Sequence, residues 1–301
     1  MPTATARDIT FPSADGTPLK GWYWPGGDAS GALVVAHGLG EHGGCYRRLA
    51  EELVETAGVG VLAFDMRGHG RSPGRRGVVR DYDELVADLR AALDWTARVV
   101  AGRPLFLLGH SNGGVVALRA LAEGYAGLSG LVLSNPSLRL AVTVPAWKLR
   151  LGTWLRQRAP WVTLSAALPD EHLSRDPAVN AERRRDPLRH SRTSAPLFFG
   201  MVESGADLAA RAEAVRVPTL LILGGADPVI DPRASEAFFD RLGAGDKALL
   251  VEPEMVHEPL HDLGAERVRA ALAAWLRERM DADNRRHLDH VLASRPDPQP
   301  Y

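Results

Sequence analysis

Among its 301 residues the chain has a single cysteine, Cys45. No intrachain disulfide can form, and there is no cysteine cluster to hold a metal. Lysine is scarce as well: Lys20, Lys148 and Lys247 are the only three, and the basic character comes from arginine, a bias that carries no functional reading. A formal net charge of −1 gives no general attraction to nucleic acid or to acidic membranes. No apolar run is long enough to span a bilayer, and Met1–Asp8 lacks the apolar core of a signal peptide. The expectation is a soluble, cytoplasmic protein; nothing in the sequence sets its oligomeric state.

With 45% hydrophobic and 24% charged residues, the composition is that of an ordinary globular protein. The length suits one elaborated α/β domain or two smaller ones. Asp8–Phe11, a turn at Ala14-Asp15-Gly16 and Leu19–Trp24 read as an antiparallel hairpin. Short apolar runs then alternate with helix-like segments. Ala32–Ala36, Val59–Phe64, Pro104–Leu108, Gly130–Ser134, Pro218–Leu223 and Ala248–Val251 read as strands, the continuous apolar ones buried on both faces. Helices are expected over about 46–56, 83–99, 115–121, 232–242 and 265–280. This alternation predicts a mostly parallel sheet covered by helices on both faces, with the hairpin at its N-terminal edge. The core comprises 1–137 and 217–280, interrupted by an insertion at 138–216. A polar stretch, 281–301, reads as a mobile tail.

The sequence Gly109-His110-Ser111-Asn112-Gly113 stands between a strand and a helix. A serine in G-x-S-x-G at such a junction sits on a sharp turn, flanked by glycines that let strand and helix crowd together while the hydroxyl projects outward. An activated serine needs a base within reach and an acid to orient that base. Asp227 follows the strand ending at Leu223, and His257 follows Val251 closely, in the chain order serine, acid, histidine. Asp231 is a rival acid, but Asp231-Pro232 already reads as a helix N-cap followed by proline at the first helical position. His261 is a rival base; His257 is favoured because it falls in a loop, whereas His261 falls within or just before the last helix. His110, adjacent to the serine, is expected to point elsewhere. His172, His190, His287 and His290 fall in the insertion or tail and read as solvated. Oxyanion donors are expected from the backbone N–H of Asn112 and, in His37-Gly38-Leu39-Gly40-Glu41-His42, that of Leu39.

Two other motifs compete for these residues. Gly38–Gly43 fits G-x-G-x-x-G after a strand, with Asp65 where a ribose-binding acid would sit, but charged Glu41 and bulky His42 occupy the positions that would face a pyrophosphate. His257-Glu258-Pro259-Leu260-His261 fits H-E-x-x-H, which binds zinc only from a continuous helix, and Pro259 leaves His257 outside any such helix. No cofactor and no metal are therefore expected. In the insertion, Trp147, Leu151, Trp154 and Leu155 recur at helical spacing up to Pro160, and Pro196–Val202 is a second apolar stretch. Each aromatic can be read as simple packing. Together they suggest a helical lid over an apolar pocket, with Trp147, Leu151 and Trp154 facing substrate.

The motifs His37–His42, Asp65-Met66-Arg67-Gly68-His69-Gly70-Arg71-Ser72 and Gly109–Gly114, completed by Asp227 and His257-Glu258, resemble the monoacylglycerol lipase and lysophospholipase branch of the α/β-hydrolase superfamily, also described as serine aminopeptidase-like. The resemblance extends almost to Met280. It implies the α/β-hydrolase fold with an inserted lid, hydrolysis of carboxylic esters of single-chain lipids through an acyl-enzyme, Glu41 near the alcohol head group, and transient contact of the lid with membranes or micelles. A general carboxylesterase, an amidase or aminopeptidase on small substrates, and an inactive small-molecule receptor are the alternatives. Two positions depart from the family. Asn112 replaces the usual methionine, placing a polar side chain at the pocket. Cys45 stands where relatives place an arginine, so no arginine is expected beside Glu41, and recognition of glycerol is left open.

Overall fold

The computed structural model describes residues 5–27 and 31–293, with side chains through residue 282. In chain order the strands are β1 (Arg7–Pro12), β2 (Pro18–Trp24), β3 (Ala32–Ala36), β4 (Gly60–Phe64), β5 (Leu105–His110), β6 (Gly130–Ser134), β7 (Thr163–Ser165), β8 (Arg192–Ser194), β9 (Thr219–Gly224) and β10 (Lys247–Glu252). The helices are α1 (Arg47–Ala57), α2 (Asp83–Val100), α3 (Asn112–Ala122), α4 (Ala146–Arg158), α5 (Asp170–Leu173), α6 (Pro177–Arg185), α7 (Ala195–Ala210), α8 (Pro232–Asp240) and α9 (Ala265–Ala293).

Eight strands form one sheet in the order β1-β2-β4-β3-β5-β6-β9-β10. Strands β1 and β2 pair antiparallel, β2 joins β4 antiparallel, and the rest run parallel. The apolar runs of β3, β4, β5, β6 and β9 are buried throughout, as strands covered on both faces must be. Alternate residues serve opposite faces. Leu33, Val35, Phe106 and Leu108 pack with Leu49 and Leu53 of α1 and with Val268, Leu272 and Leu276 of α9. Val34 and Leu107 pack with Leu85, Leu89 and Leu93 of α2, with Val116 of α3 and with Leu197 of α7.

This topology locates the site. The chain leaves β3 for β4 on one side and β5 for β6 on the other, so the loops after β3 and β5 open a crevice at the carboxyl edge of the sheet.

Within the insertion, β7 and β8 pair with each other. Leu197, Met201 and Leu208 of α7 are buried in the main core, so the apolar stretch at 196–202 packs partly into the core, while its Phe198 and Phe199 line a cavity. The last helix runs past the expected end at Met280 to Ala293. The polarity of 281–293 points to a tail, but no glycine or proline interrupts it, and nothing in that stretch breaks a helix. The rest of the expected tail, 294–301, lies outside the described residues.

Candidate active site

Ser111 takes φ +52° and ψ −117° between β5 and α3, a conformation that costs a residue with a side chain on the order of 1–3 kcal/mol. Surrounding bonds enforce it: Ser111 N–H donates to Ser134 O at 3.0 Å, and Gly114 N–H to Ser111 O at 3.0 Å. A Cβ at Gly113 would lie 2.0 Å from Ala36 O. Only glycine allows the first turn of α3 to press so closely on β3.

His257 Nε2 is 3.0 Å from Ser111 Oγ, and its Nδ1 is 2.8 Å from Asp227 Oδ2. Asp227 Oδ1 accepts from Val229 N (2.7 Å) and Ile230 N (3.1 Å), which aims Oδ2 at the imidazole. Burial alone would lower the His257 pKa, but the Asp227 carboxylate beside it, with Glu258 and Glu41 further off, holds it above its ordinary value. The rivals are engaged elsewhere: Asp231 caps α8 through Arg233 N (2.9 Å), and His261 packs against Tyr46 with ring centroids 5.2 Å apart.

Asn135 was not evident from the sequence. It sits buried at φ +40° and ties three loops together. Its Nδ2 donates to Val256 O (3.2 Å) and His257 O (2.8 Å), and its Oδ1 accepts from Gly224 N (3.1 Å). The ends of β6 and β9 and the histidine loop are thereby held in register.

Leu39 lines the cavity beside Ser111. Asn112 opens α3, where the first turn of a helix leaves N–H groups without intrahelical acceptors. Glu41 braces the Leu39 loop, its Oε2 accepting from Gly38 N and Tyr46 Oη, both at 2.8 Å. Contrary to expectation, an arginine does support Glu41. It comes from the insertion: Arg189 Nη2 lies 3.3 Å from Glu41 Oε1, and its Nη1 lies 3.8 Å from Glu258 Oε1. Arg183 of α6 binds the Glu258 carboxylate through two bonds of 2.7 and 2.6 Å. Two loops of the core are thus clamped by two arginines of the insertion.

A cavity of about 670 Å³ opens at Ser111. Its lining includes apolar residues, among them Leu140, Val144, Leu149, Phe198, Phe199 and Ile230, and polar ones, among them Glu41, Arg183, Asp186, Arg189 and Glu258. Arg183 and Arg189 are matched there by carboxylates. His110 lines the cavity rather than pointing away. Its Nδ1 reaches Ser134 O at 3.0 Å, and its ring lies 5.0 Å from that of His257. Burial pushes its pKa down to about 4. His190 is no more free: its backbone N–H donates to Gly40 O at 3.0 Å, and its ring lies 4.7 Å from that of His69. The carbonyl of His172 accepts from His257 N at 3.3 Å. The side chains of His287 and His290 lie outside the described residues.

Four expected pocket residues are placed differently. Asn112 is buried and turned away, its Oδ1 accepting from Tyr82 Oη at 2.9 Å. On α4, Trp147, Leu151 and Trp154 face outward, the tryptophans 62% and 57% exposed. Lys148, Leu149 and Gly152 line the cavity instead, because Gly152 lets α4 approach the Phe199 ring of α7, where a Cβ would stand 3.1 Å from it.

Among the described residues two side-chain groups have metal-like composition, and their donors are already engaged. His42 Nδ1 accepts from Gly44 N (3.1 Å), which leaves its Nε2 protonated and facing Asp186 (2.7 Å), with Cys45 nearby. In Glu41, His110 and Glu258 the carboxylates already hold arginines. No helix of the described residues is long and apolar enough to cross a membrane.

A serine on a strained strand-to-helix turn, with acid and histidine after later strands of one mostly parallel sheet, is the arrangement of the α/β-hydrolases, and this protein is one of them. More narrowly, the chain belongs to the hydrolase family described as serine aminopeptidase, S33, whose model matches residues 27–264. It is 31% identical over 278 residues to a monoacylglycerol lipase of Mycolicibacterium smegmatis, covering 92% of this chain and 99% of that protein. It is 32% identical over 256 residues to the monoglyceride lipase of Homo sapiens, covering 81% of each. The crystal structure of Paleococcus ferrophilus monoacylglycerol lipase is similar at a TM-score of 0.76 and 30% identity, over 91% of this chain and 99% of that one.

Proposed function

We propose that this protein is a serine hydrolase of carboxylic esters that acts on single-chain lipid esters of the monoacylglycerol type. The observation that carries the proposal is the chain of contacts from Ser111 Oγ to His257 Nε2 (3.0 Å) and from His257 Nδ1 to Asp227 (2.8 Å), beside a cavity that Ser111 and His257 line. His257 removes the Ser111 proton as Oγ attacks the ester carbonyl, and Asp227 orients the imidazole and stabilises the imidazolium. The N–H groups of Leu39 and Asn112 receive the charge that develops on the carbonyl oxygen. The alcohol departs with the proton from His257, and water then cleaves the acyl-enzyme.

The apolar lining of the cavity suits an acyl chain. Its Arg183 and Arg189, matched by carboxylates, suit an uncharged alcohol head group better than a phosphate. The exposed Trp147 and Trp154 of α4, with Lys148 and Arg150 beside them, suit transient contact with a lipid surface.

Ser111→Ala is expected to cut turnover of p-nitrophenyl butyrate by several orders of magnitude and to abolish labelling by a fluorophosphonate. Near-normal turnover in that variant would refute the mechanism. Rates across p-nitrophenyl esters from acetyl to palmitoyl should rise with chain length; a maximum at acetyl would favour a small-ester hydrolase instead.

A further inference from the structure

Ser137 follows β6 and is buried beside the nucleophile, its Oγ 3.2 Å from Ser111 Oγ. Its backbone N–H donates to Ser111 O at 3.1 Å, and two residues earlier Asn135 anchors the same segment to the histidine loop and to Gly224. The direction of the contact between the two hydroxyls follows from the chain of partners. Asp227 Oδ2 accepts from His257 Nδ1, so Nε2 is the bare nitrogen and accepts the hydrogen bond of the Ser111 hydroxyl. With its proton committed to that bond, Ser111 Oγ can only accept from Ser137.

We propose that Ser137 is a further catalytic residue, donating a hydrogen bond to Ser111 Oγ and acting mainly when that oxygen is the leaving group of deacylation. The proposal rests on Ser111 being the nucleophile. In deacylation, water attacks the acyl carbon and its proton passes to His257 Nε2. The bond between that carbon and Oγ then breaks, the electron pair stays on Oγ, and Oγ takes the proton back from His257. Ser137 keeps its own proton throughout.

The strength of Oγ as an acceptor changes along this path. It is moderate in the free hydroxyl, weak in the acyl-enzyme, where resonance draws its lone pair toward the carbonyl, and strong in both transition states as alkoxide character develops. Only interactions stronger in the transition state than in the preceding ground state accelerate a step. The gain is therefore larger from acyl-enzyme to deacylation than from free enzyme to acylation.

Stopped-flow hydrolysis of p-nitrophenyl butyrate separates the two steps, the burst reporting acylation and the steady state deacylation. Losing one hydrogen bond of this kind in Ser137→Ala should slow deacylation about tenfold and acylation less than about threefold. The burst should then approach one p-nitrophenol per enzyme. The rate of fluorophosphonate labelling, which reports acylation in the same folded protein, should stay near that of the wild type, and Ser137→Thr should restore the steady state. Equal slowing of both steps, or no slowing of either, would overturn the role of Ser137. A wild-type protein that is not labelled at Ser111 would instead overturn the nucleophile assignment, and the proposal with it.

Discussion

Arg189→Ala tests whether the insertion is built into the catalytic loops or merely laid over them. In the wild type this arginine lies between two buried carboxylates, at 3.3 Å from Glu41 and 3.8 Å from Glu258. Those carboxylates have oxygens within 4.8 Å of each other. Without the guanidinium, two unit charges at that separation repel by about 3.5 kcal/mol at an effective dielectric constant of about 20. Glu41 keeps the N–H of Gly38 and the hydroxyl of Tyr46, and Glu258 keeps both bonds to Arg183, which limits the damage. Breaking a buried pair by removing one partner costs about 3–5 kcal/mol. The expected loss is at the lower end, about 3 kcal/mol, or on the order of 6–12 °C in melting temperature for a chain of this size. Urea denaturation at pH 7 measures it directly. Adding Glu41→Gln removes the repulsion and should recover more than about 1 kcal/mol, so the double-mutant cycle should be clearly non-additive. A single variant within about 0.5 kcal/mol of the wild type, with an additive cycle, would refute the clamp.

The raised pKa of His257 sets the sign of the pH dependence. The base must be neutral to accept the Ser111 proton, so kcat/KM should fall with acidification through a midpoint above about 6.5, the ordinary histidine value. In Asp227→Asn the carboxylate that favours the imidazolium is gone. The midpoint should move to lower pH and the plateau should drop by about 10⁴; a profile with an unmoved midpoint would count against Asp227 as the partner. Trp147→Ala combined with Trp154→Ala should leave p-nitrophenyl acetate turnover unchanged while slowing hydrolysis of monoacylglycerol in mixed micelles several-fold. Equal effects on the two substrates would sink the lipid-contact role of α4.

The parts of this site legible in the sequence are those carried by local chain geometry. Ser111 is announced by the glycines of its own turn, and Asp227 and His257 by their positions after strands whose apolar runs are unmistakable. Asp231 could be discounted because Asp-Pro at a helix start already has a structural job, and it does cap α8. What stayed hidden depends on partners far away in sequence. Arg189 reaches Glu41 across 148 residues, and no local pattern distinguishes it from the exposed arginines around it. Tyr82 captures the Asn112 side chain from the loop before α2, turning a departure at the pocket into a buried hydrogen bond behind it.

Helix α4 is the instructive case. Periodicity finds its apolar stripe, and the usual rule assigns the largest side chains to the inside. That rule weighs hydrophobic burial and leaves out steric approach. At Gly152 the absence of a side chain lets α4 close on Phe199, so Lys148, Leu149 and Gly152 line the cavity and Trp147, Leu151 and Trp154 are turned outward. Bulk predicts burial only where there is room for it. On α4, packed over the cavity, the smallest residue marks the inner face, and the tryptophans of the outer face stay open to a partner from outside the chain. A lipid surface, the proposed source of the substrate, would be such a partner.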